Sequence, residues 1–365
     1  MWARVPTMCV MSSGSHKAPR SGRSRSKLAL IIALSLVGVL VVGAAGTVLY
    51  LQNRIDNRIE RFEDPFADLG TDRPSHVSRD GDEDGEETDP PVNILVLGTD
   101  SRISAGDPTQ WQAGGQRTDA IMIAQVAGDR ESMTLMSIPR DSWVPIPGHP
   151  DAKINAAFSW GGPSLTIQTV EELTGIPIDH IAVTDFESFQ TITDELGGVD
   201  ITLTEPLRTG GTELPPGTHR LNGAQALDYT RQRYGLSGGD LSRMQRQQNW
   251  MRAMMASAFD RDVLTNPARL NDLLIVVAEN VAVDEHFQIG QMRNLALSMR
   301  NIRPGDVNFI SAPITGLGRS PDGAQSIVQL DFEALEEVSQ AFIEDRAAEF
   351  VDENEDLVRL GEHVE

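Results

Sequence analysis

Three rhythms of apolar residues run along this chain, and each predicts a different kind of element. From Leu28 to Leu51 the residues LALIIALSLVGVLVVGAAGTVLYL carry no charge, a run long enough to cross a bilayer as one helix. From Val92 onward the apolar runs shorten to strand length: Asn93 to Gly98 (NILVLG), Ala120 to Val126 (AIMIAQV) and Met133 to Ile138 (MTLMSI). Ala127-Gly128-Asp129-Arg130 supplies turn chemistry between the last two, so the three predict a meander running up, down and up. In such a meander the end of the first strand, the start of the second and the end of the third share one edge of the sheet. Helical spacing takes over at Pro163 to Leu173, Asp185 to Leu196, Leu270 to Ala278, Phe287 to Met299 and Phe332 to Phe342. Gly198 to Leu203 and Val307 to Ile310 read as further strands.

Two helices near the middle carry more information. Asn222, with Gln225 three residues on, predicts a capped helix through Leu227, after which Arg231 and Arg233 share a face only if the chain is extended there. Asp240 predicts the cap of the second helix, with Leu241, Met244, Met251, Met255 and Ala258 as its buried stripe. Asp240, Arg243 and Gln247 fall on one face of its first turns, where the helix dipole favours an anion. Trp250, Met251, Met254 and Met255 offer adaptable apolar surface for a lipid chain, or ordinary core packing.

Composition narrows the class. The 365 residues are 40% hydrophobic, enough for a sizeable core, and their net charge of -22 opposes extended nucleic-acid binding. Arg20, Arg23, Arg25 and Lys27 precede the long apolar run without any acid among them, so the positive-inside rule predicts a cytoplasmic N-terminus and an exported remainder. Cys9 is the only cysteine and lies before the run, which leaves the exported part without disulfide or thiol nucleophile. Residues Asp80 to Pro91 (DGDEDGEETDPP) are too polar to pack and read as a tether. The predicted organisation is therefore a basic cytoplasmic segment at 1–27, a transmembrane anchor at 28–51, an acidic extracytoplasmic linker at 52–91, one mixed α/β domain at 92–343 and an acidic peripheral tail at 344–365.

The charged residues that end the apolar runs carry the candidate chemistry. Asp100 closes NILVLGTD, Arg117 and Asp119 open the second strand, and Arg140 and Asp141 follow the third. Lys153 lies a little beyond them, in KINAA, and Arg231 and Arg233 stand further along in YTRQR. The meander brings Asp100, Asp119 and Arg140 to one sheet edge, where open α/β sheets bind ligands. Carboxylates hold divalent cations and guanidinium groups clamp phosphate oxygens, so the mixture points to a metal-bound, phosphate-rich substrate or, alternatively, to ion pairs that tie loops together. The histidines show no HExxH spacing, and GxGxxG and GxxxxGK[ST] loops are missing from the exported part, which counts against zinc hydrolases and nucleotide folds.

NILVLGTDSR, GGQRTDAIMI, SIPRDSWVPIPG, KINAAFSWGG, FESFQTITDELGGVDI, LNGAQALDYTRQRY and DLSRMQRQQ occur in an order that resembles the LytR-CpsA-Psr family, over about Val92 to Ala256. The resemblance implies an α-β-α domain, a central mixed β-sheet flanked by helices, preceded by one transmembrane helix. It implies a single-pass type II protein of the bacterial cytoplasmic membrane with its catalytic domain outside. The implied reaction moves a glycopolymer from a polyprenyl-pyrophosphate carrier to a muramic acid hydroxyl of peptidoglycan, forming a phosphodiester and releasing polyprenyl phosphate. Residue by residue, Asp100 and Asp119 would bind Mg2+, or Mn2+ in its place. Arg140, Arg231 and Arg233 would hold the pyrophosphate, with Arg117, Lys153, Asp240, Arg243 and Gln247 around them. Asp119 and Asp141 are the candidate bases. Water in place of the hydroxyl would make the same site a hydrolase, and retention of the lipid without turnover would make it an envelope regulator. The polymer stays open among wall teichoic acid, capsule and arabinogalactan.

Overall fold

The computed structural model describes residues 61–62, 64–77, 89–99, 118–232, 240–258, 263 and 266–354. By contacts the chain divides into two compact units, Met1–Asn53 and Arg54–Glu365, and every described residue belongs to the second. The apolar run at 28–51 lies outside the described residues, and among those described no helix is long and apolar enough to cross a membrane.

The predicted meander forms the centre of a seven-stranded sheet. Strands β2 (Val92–Thr99), β3 (Thr118–Val126) and β4 (Met133–Ser137) pair antiparallel in sequence order. β1 (Arg61–Phe62), β7 (His180–Asp185), β12 (Val281–Asp284) and β13 (Val307–Ser311) complete the order β1-β12-β7-β2-β3-β4-β13. β7 runs parallel to β2, and β13 parallel to β4, so the sheet is mixed. Its central strands are apolar on both faces because both are covered. Leu95, Leu97, Ile121, Ile123 and Met136 face one core, filled by α1 (Asn155–Thr174), α7 (Phe332–Ile343) and α8 (Ala347–Glu353). Met122, Ala124, Val126 and Leu135 face the other. That second core is filled by α2 (Phe186–Glu195), α3 (Gly223–Arg231), α4 (Asp240–Ala258) and α5 (Pro267–Asn280), with α6 (Ile289–Ser298) at its margin. The result is the expected helix-sheet-helix sandwich.

Small two-stranded sheets decorate this frame. β5 (Trp143–Ile146) pairs with β6 (His149–Lys153), β8 (Val199–Leu203) with β11 (Gly217–Leu221), and β9 (Leu207–Thr209) with β10 (Thr212–Leu214). β14 (Ile314–Arg319) pairs with β15 (Ser326–Leu330).

Several boundaries differ from the sequence reading. The packed unit extends past both ends of 92–343, because Phe62, Phe66 and Leu69 pack on the first core and Ala347 and Val351 are buried in it. Residues 61–62 are thus a sheet strand rather than linker, and the start of the acidic tail is a helix with a buried stripe. α1 begins at Asn155, well before Pro163, and is broken at Gly161 (φ -138°, ψ 15°) and Gly162 (φ 62°, ψ -151°). Only glycine tolerates the second of these, and a side chain on the first would meet Leu165 Cβ at 2.4 Å. α3 carries the predicted capping box between Asn222 and Gln225 but continues to Arg231, so Arg231 is helical and the chain turns extended only at Gln232 (ψ 121°). Among the described side chains of α4, Arg246, Trp250, Met251, Ala253 and Met254 are buried and Met255 packs against the same core, while the expected Leu241 and Met244 lie outside the described side chains. Trp250, Met251 and Met254 are core residues there, which is the packing alternative to a lipid surface.

Candidate active site

At the sheet edge predicted to gather charge, Asp119 and Arg140 meet. β2 ends at Thr99, beside a bulge where Thr99 pairs with Thr118, and Asp119 is the next residue of β3. At the same edge the chain leaves β4, and Ile138 N donates to Ile121 O (2.8 Å) before the turn Pro139-Arg140-Asp141-Ser142, closed by Ser142 N to Pro139 O (2.9 Å). Arg140 Nη1 bonds directly to Asp119 Oδ1. On the other side Arg140 Nε faces Asp141 Oδ2 (3.6 Å), and Asp141 Oδ1 accepts from Lys153 Nζ (2.8 Å). Asp119, Arg140, Asp141 and Lys153 therefore form one alternating row, each side chain between 13% and 28% exposed, half-buried but open to a ligand.

Backbone bonds hold this row from three directions. Trp143 pairs with Lys153 across the β5–β6 hairpin, which sets Lys153 beside Asp141. Ile154 N donates to Ser142 O (2.8 Å) and Asn155 N to Arg140 O (3.2 Å), so α1 starts on the arginine's own carbonyl. From the opposite side Val328 N of β15 donates to Asp141 O (2.9 Å). A turn fixed at so many points keeps its side chains in place when a charged ligand arrives.

The carboxylate edge suits a hard cation. Asp119 is acidic and partly open, and the neighbouring Thr118 hydroxyl is buried without a hydrogen-bond partner. An orphaned oxygen next to a carboxylate is the kind of donor that Mg2+ or Mn2+ takes. Its expected companion Asp100 follows Thr99 directly but lies outside the described residues, as do Arg117 and Arg233. Asp240 and Arg243 occupy the first turns of α4, with their side chains outside the description; Gln247, one turn on, is half-buried. Arg231 is exposed at the last turn of α3.

Sequence reasoning passed over Arg246. It is 2% exposed, and among the described residues no carboxylate forms an ion pair with it. Its Nη1 donates to Tyr229 O (3.2 Å), its guanidinium lies 4.8 Å from the centre of the Tyr229 ring, and its Nε is buried without a partner. Burial pulls its pKa below the ordinary arginine range, against the opposing pull of Tyr229 and Glu205. Tyr229 in turn accepts at its hydroxyl from Asn249 Nδ2 (3.1 Å), and burial raises its own pKa. Arg246 thus ties the end of α3, where Arg231 sits, to the start of α4, which bears Asp240, Arg243 and Gln247. The signal was its place one turn before Trp250 on the stripe that faces the core.

Comparison with known proteins adds the following. The family model described as the LytR_cpsA_psr family matches residues 62–343. The chain is 31% identical to the cell wall biosynthesis protein LcpA of Corynebacterium glutamicum, over 78% of this chain and 63% of LcpA, so it spans less than two thirds of that relative's length. It is 30% identical to the polyisoprenyl-teichoic acid–peptidoglycan teichoic acid transferase TagU of Oceanobacillus iheyensis, over 78% of this chain and 84% of TagU. The crystal structure of TagV from B. subtilis superposes with a TM-score of 0.58 at 26% identity, covering 70% of this chain and 97% of TagV.

Proposed function

The chain belongs to the LytR_cpsA_psr family, and on that premise we propose that it is a phosphotransferase moving a glycopolymer from a polyprenyl-pyrophosphate carrier to a muramic acid hydroxyl of peptidoglycan. One observation carries the reading: the row Asp119, Arg140, Asp141, Lys153 at a sheet edge, with Arg231 on a helix of the second core. The likeness to LcpA and TagU supports the same class of substrate.

In this reaction the hydroxyl oxygen attacks the phosphorus that bears the glycan. A new P–O bond forms, the bond to the bridging oxygen breaks, polyprenyl phosphate departs with the electron pair, and the hydroxyl proton passes to solvent. Charge grows on the leaving phosphate, and fixed donors aimed at that charge supply most of the rate. Arg140, Arg231 and Lys153 are such donors on this chain, with Arg117, Arg233, Arg243 and Gln247 as their companions from the sequence. Asp119, with Asp100 and the Thr118 hydroxyl, would hold Mg2+ or Mn2+, which when bound supplies positive charge to the phosphate oxygens. Asp141 faces a cation with each oxygen, Lys153 at 2.8 Å and Arg140 at 3.6 Å, so we assign it to holding both in place rather than to taking the proton. Residues 28–51 would anchor the protein in the cytoplasmic membrane with this site outside.

The test is transfer by the full chain in detergent, given Mg2+, a synthetic polyprenyl-pyrophosphate oligosaccharide and peptidoglycan fragments, with products read by mass spectrometry. A sugar phosphodiester on muramic acid is the expected product. Free sugar phosphate alone would make the protein a hydrolase, and binding of the donor without turnover would make it a regulator.

A further inference from the structure

Trp160 is 38% exposed, whereas Trp250 is buried in the second core. The Trp160 ring lies against His149 in a tilted contact, with centroids 4.9 Å apart and planes 32° from parallel. Two short tracks lead from this pair to the charged row. The first segment of α1 starts where Asn155 N meets Arg140 O and ends at Trp160, about 8 Å along a helix axis. β6 runs from Lys153 back to His149, about 13 Å along a strand. The helix stops at Trp160 because Gly161 and Gly162 leave helical geometry and Pro163 opens the next segment. A continuous helix would carry the tryptophan's neighbours onward; the Gly-Gly-Pro break leaves the ring at a helix end, beside the hairpin tip.

The two faces of the sheet divide the work. Arg231, Arg243 and Gln247 belong to α3 and α4, which fill the second core, while α1 and the β5–β6 hairpin pack on the first. In phosphoryl transfer the attacking and leaving oxygens lie in line on opposite sides of phosphorus. With the carrier end on the α3/α4 side, a placement that belongs to this proposal, the hydroxyl attacks from the α1 side, where Trp160 and His149 stand. A pyranose has an apolar face of C–H bonds and a rim of hydroxyls, which suits an exposed aromatic ring with a polar neighbour.

We propose that Trp160 and His149 form a platform on which a sugar ring of the acceptor glycan strand stacks, so that the neighbouring muramic acid hydroxyl is presented to the Arg140 row. This rests on the transferase reading above, and the experiment separates the two. Peptidoglycan glycan fragments released by a muramidase are titrated calorimetrically into the full chain in detergent, for wild type, Trp160→Ala, Trp160→Phe and His149→Ala. Their melting temperatures are recorded alongside, and KM is measured for acceptor and donor wherever transfer occurs. Wild type should bind the fragments, and Trp160→Ala should weaken binding and raise acceptor KM about tenfold, with donor KM and melting temperature unchanged. Trp160→Phe should fall between, as a smaller ring would. Equal fragment affinity in wild type and Trp160→Ala overturns the proposal, as does a wild type that binds no fragment. A raised donor KM with unchanged acceptor KM also overturns it, by placing the platform under the donor's polymer. If wild type binds fragments through Trp160 but transfers nothing, the platform stands and the transferase reading falls.

Discussion

At the scale of single residues, the row at the sheet edge makes two claims that activity can check. Asp141 touches Lys153 at 2.8 Å and lies 3.6 Å from Arg140, so both of its oxygens are engaged by cations and neither is left for a hydroxyl proton. Asp141→Asn keeps an oxygen for Lys153 but loses the charge that steadies the pair, and should lower kcat about 10- to 100-fold, within the range of a lost positioning contact. The acid limb of its pH–rate profile should keep the wild-type shape; loss of that limb would make Asp141 the base after all. Arg140 engages Asp119 through Nη1 and Asp141 through Nε, a fork that lysine does not have. Arg140→Lys should cost about 100-fold or more in kcat with little change in melting temperature, a result that an equal loss of folding would contradict. Asp119 and Arg140 were legible as partners because the apolar runs before and after them fixed an up-down-up order. Asp141 and Lys153 were legible as charges but not as a bonded pair, since the β5–β6 hairpin that joins them has no alternating pattern to announce it: His149-Pro150-Asp151 is polar throughout.

At the scale of elements, the joint between α3 and α4 decides whether the helix-borne arginines converge. Arg246 bonds the Tyr229 carbonyl and stacks on its ring, and it does so as a buried cation without a carboxylate partner among the described residues. Arg246→Met loses one hydrogen bond, to the Tyr229 carbonyl, but also relieves a desolvated charge and an orphaned Nε, so it should keep the melting temperature within ~3 °C, about 1 kcal/mol. Donor KM should still rise about tenfold, because the turn between α3 and α4 loses its tie; an unchanged donor KM would make Arg246 a core residue only. Gly223, the first residue of α3, shows the opposite balance. A Cβ there would meet the Gln190 carbonyl oxygen of α2 at 2.3 Å and its Cα at 2.7 Å, both backbone atoms that cannot step aside. Gly223→Ala should lower stability by about 2 kcal/mol, roughly 4–8 °C in melting temperature by calorimetry. The helices themselves were largely visible in the sequence, since caps such as Asn222 with Gln225 and Asp185 act locally. Arg246 was missed on α4 because a buried arginine reads as surface in any apolar pattern, and the early start of α1 was hidden by Gly161-Gly162-Pro163, which spells a break rather than a helix.

For the whole molecule, the segment at 64–77 lies before the sheet's first long strand yet is bonded across the fold. Arg73 pairs with Glu171 of α1 (2.7 Å) and donates to Ile178 O (2.6 Å), and His76 Nε2 meets Asp179 Oδ1 (2.8 Å). Asp179 also accepts from Asn93 N (2.7 Å) through its other oxygen, so one carboxylate joins this segment to the start of β2 and the approach to β7. The hydrogen bond to Asp179 raises the pKa of His76 above its ordinary value, against partial burial and with further help from the charges of Asp179 and Asp345. A histidine whose folded pKa is raised adds stability in its charged form. That contribution is complete below its unfolded pKa, near 6.5, and is lost as pH rises through the higher folded value. Melting temperatures of wild type and His76→Gln should therefore differ most below the unfolded value, near 6.5, and converge as pH rises through the raised folded value, past which both side chains are neutral. A difference that stayed constant across this range would mean that the histidine contributes packing alone. A segment placed between the expected anchor and the seven-stranded sheet would then be held by Arg73 and Glu171 without a titrating latch.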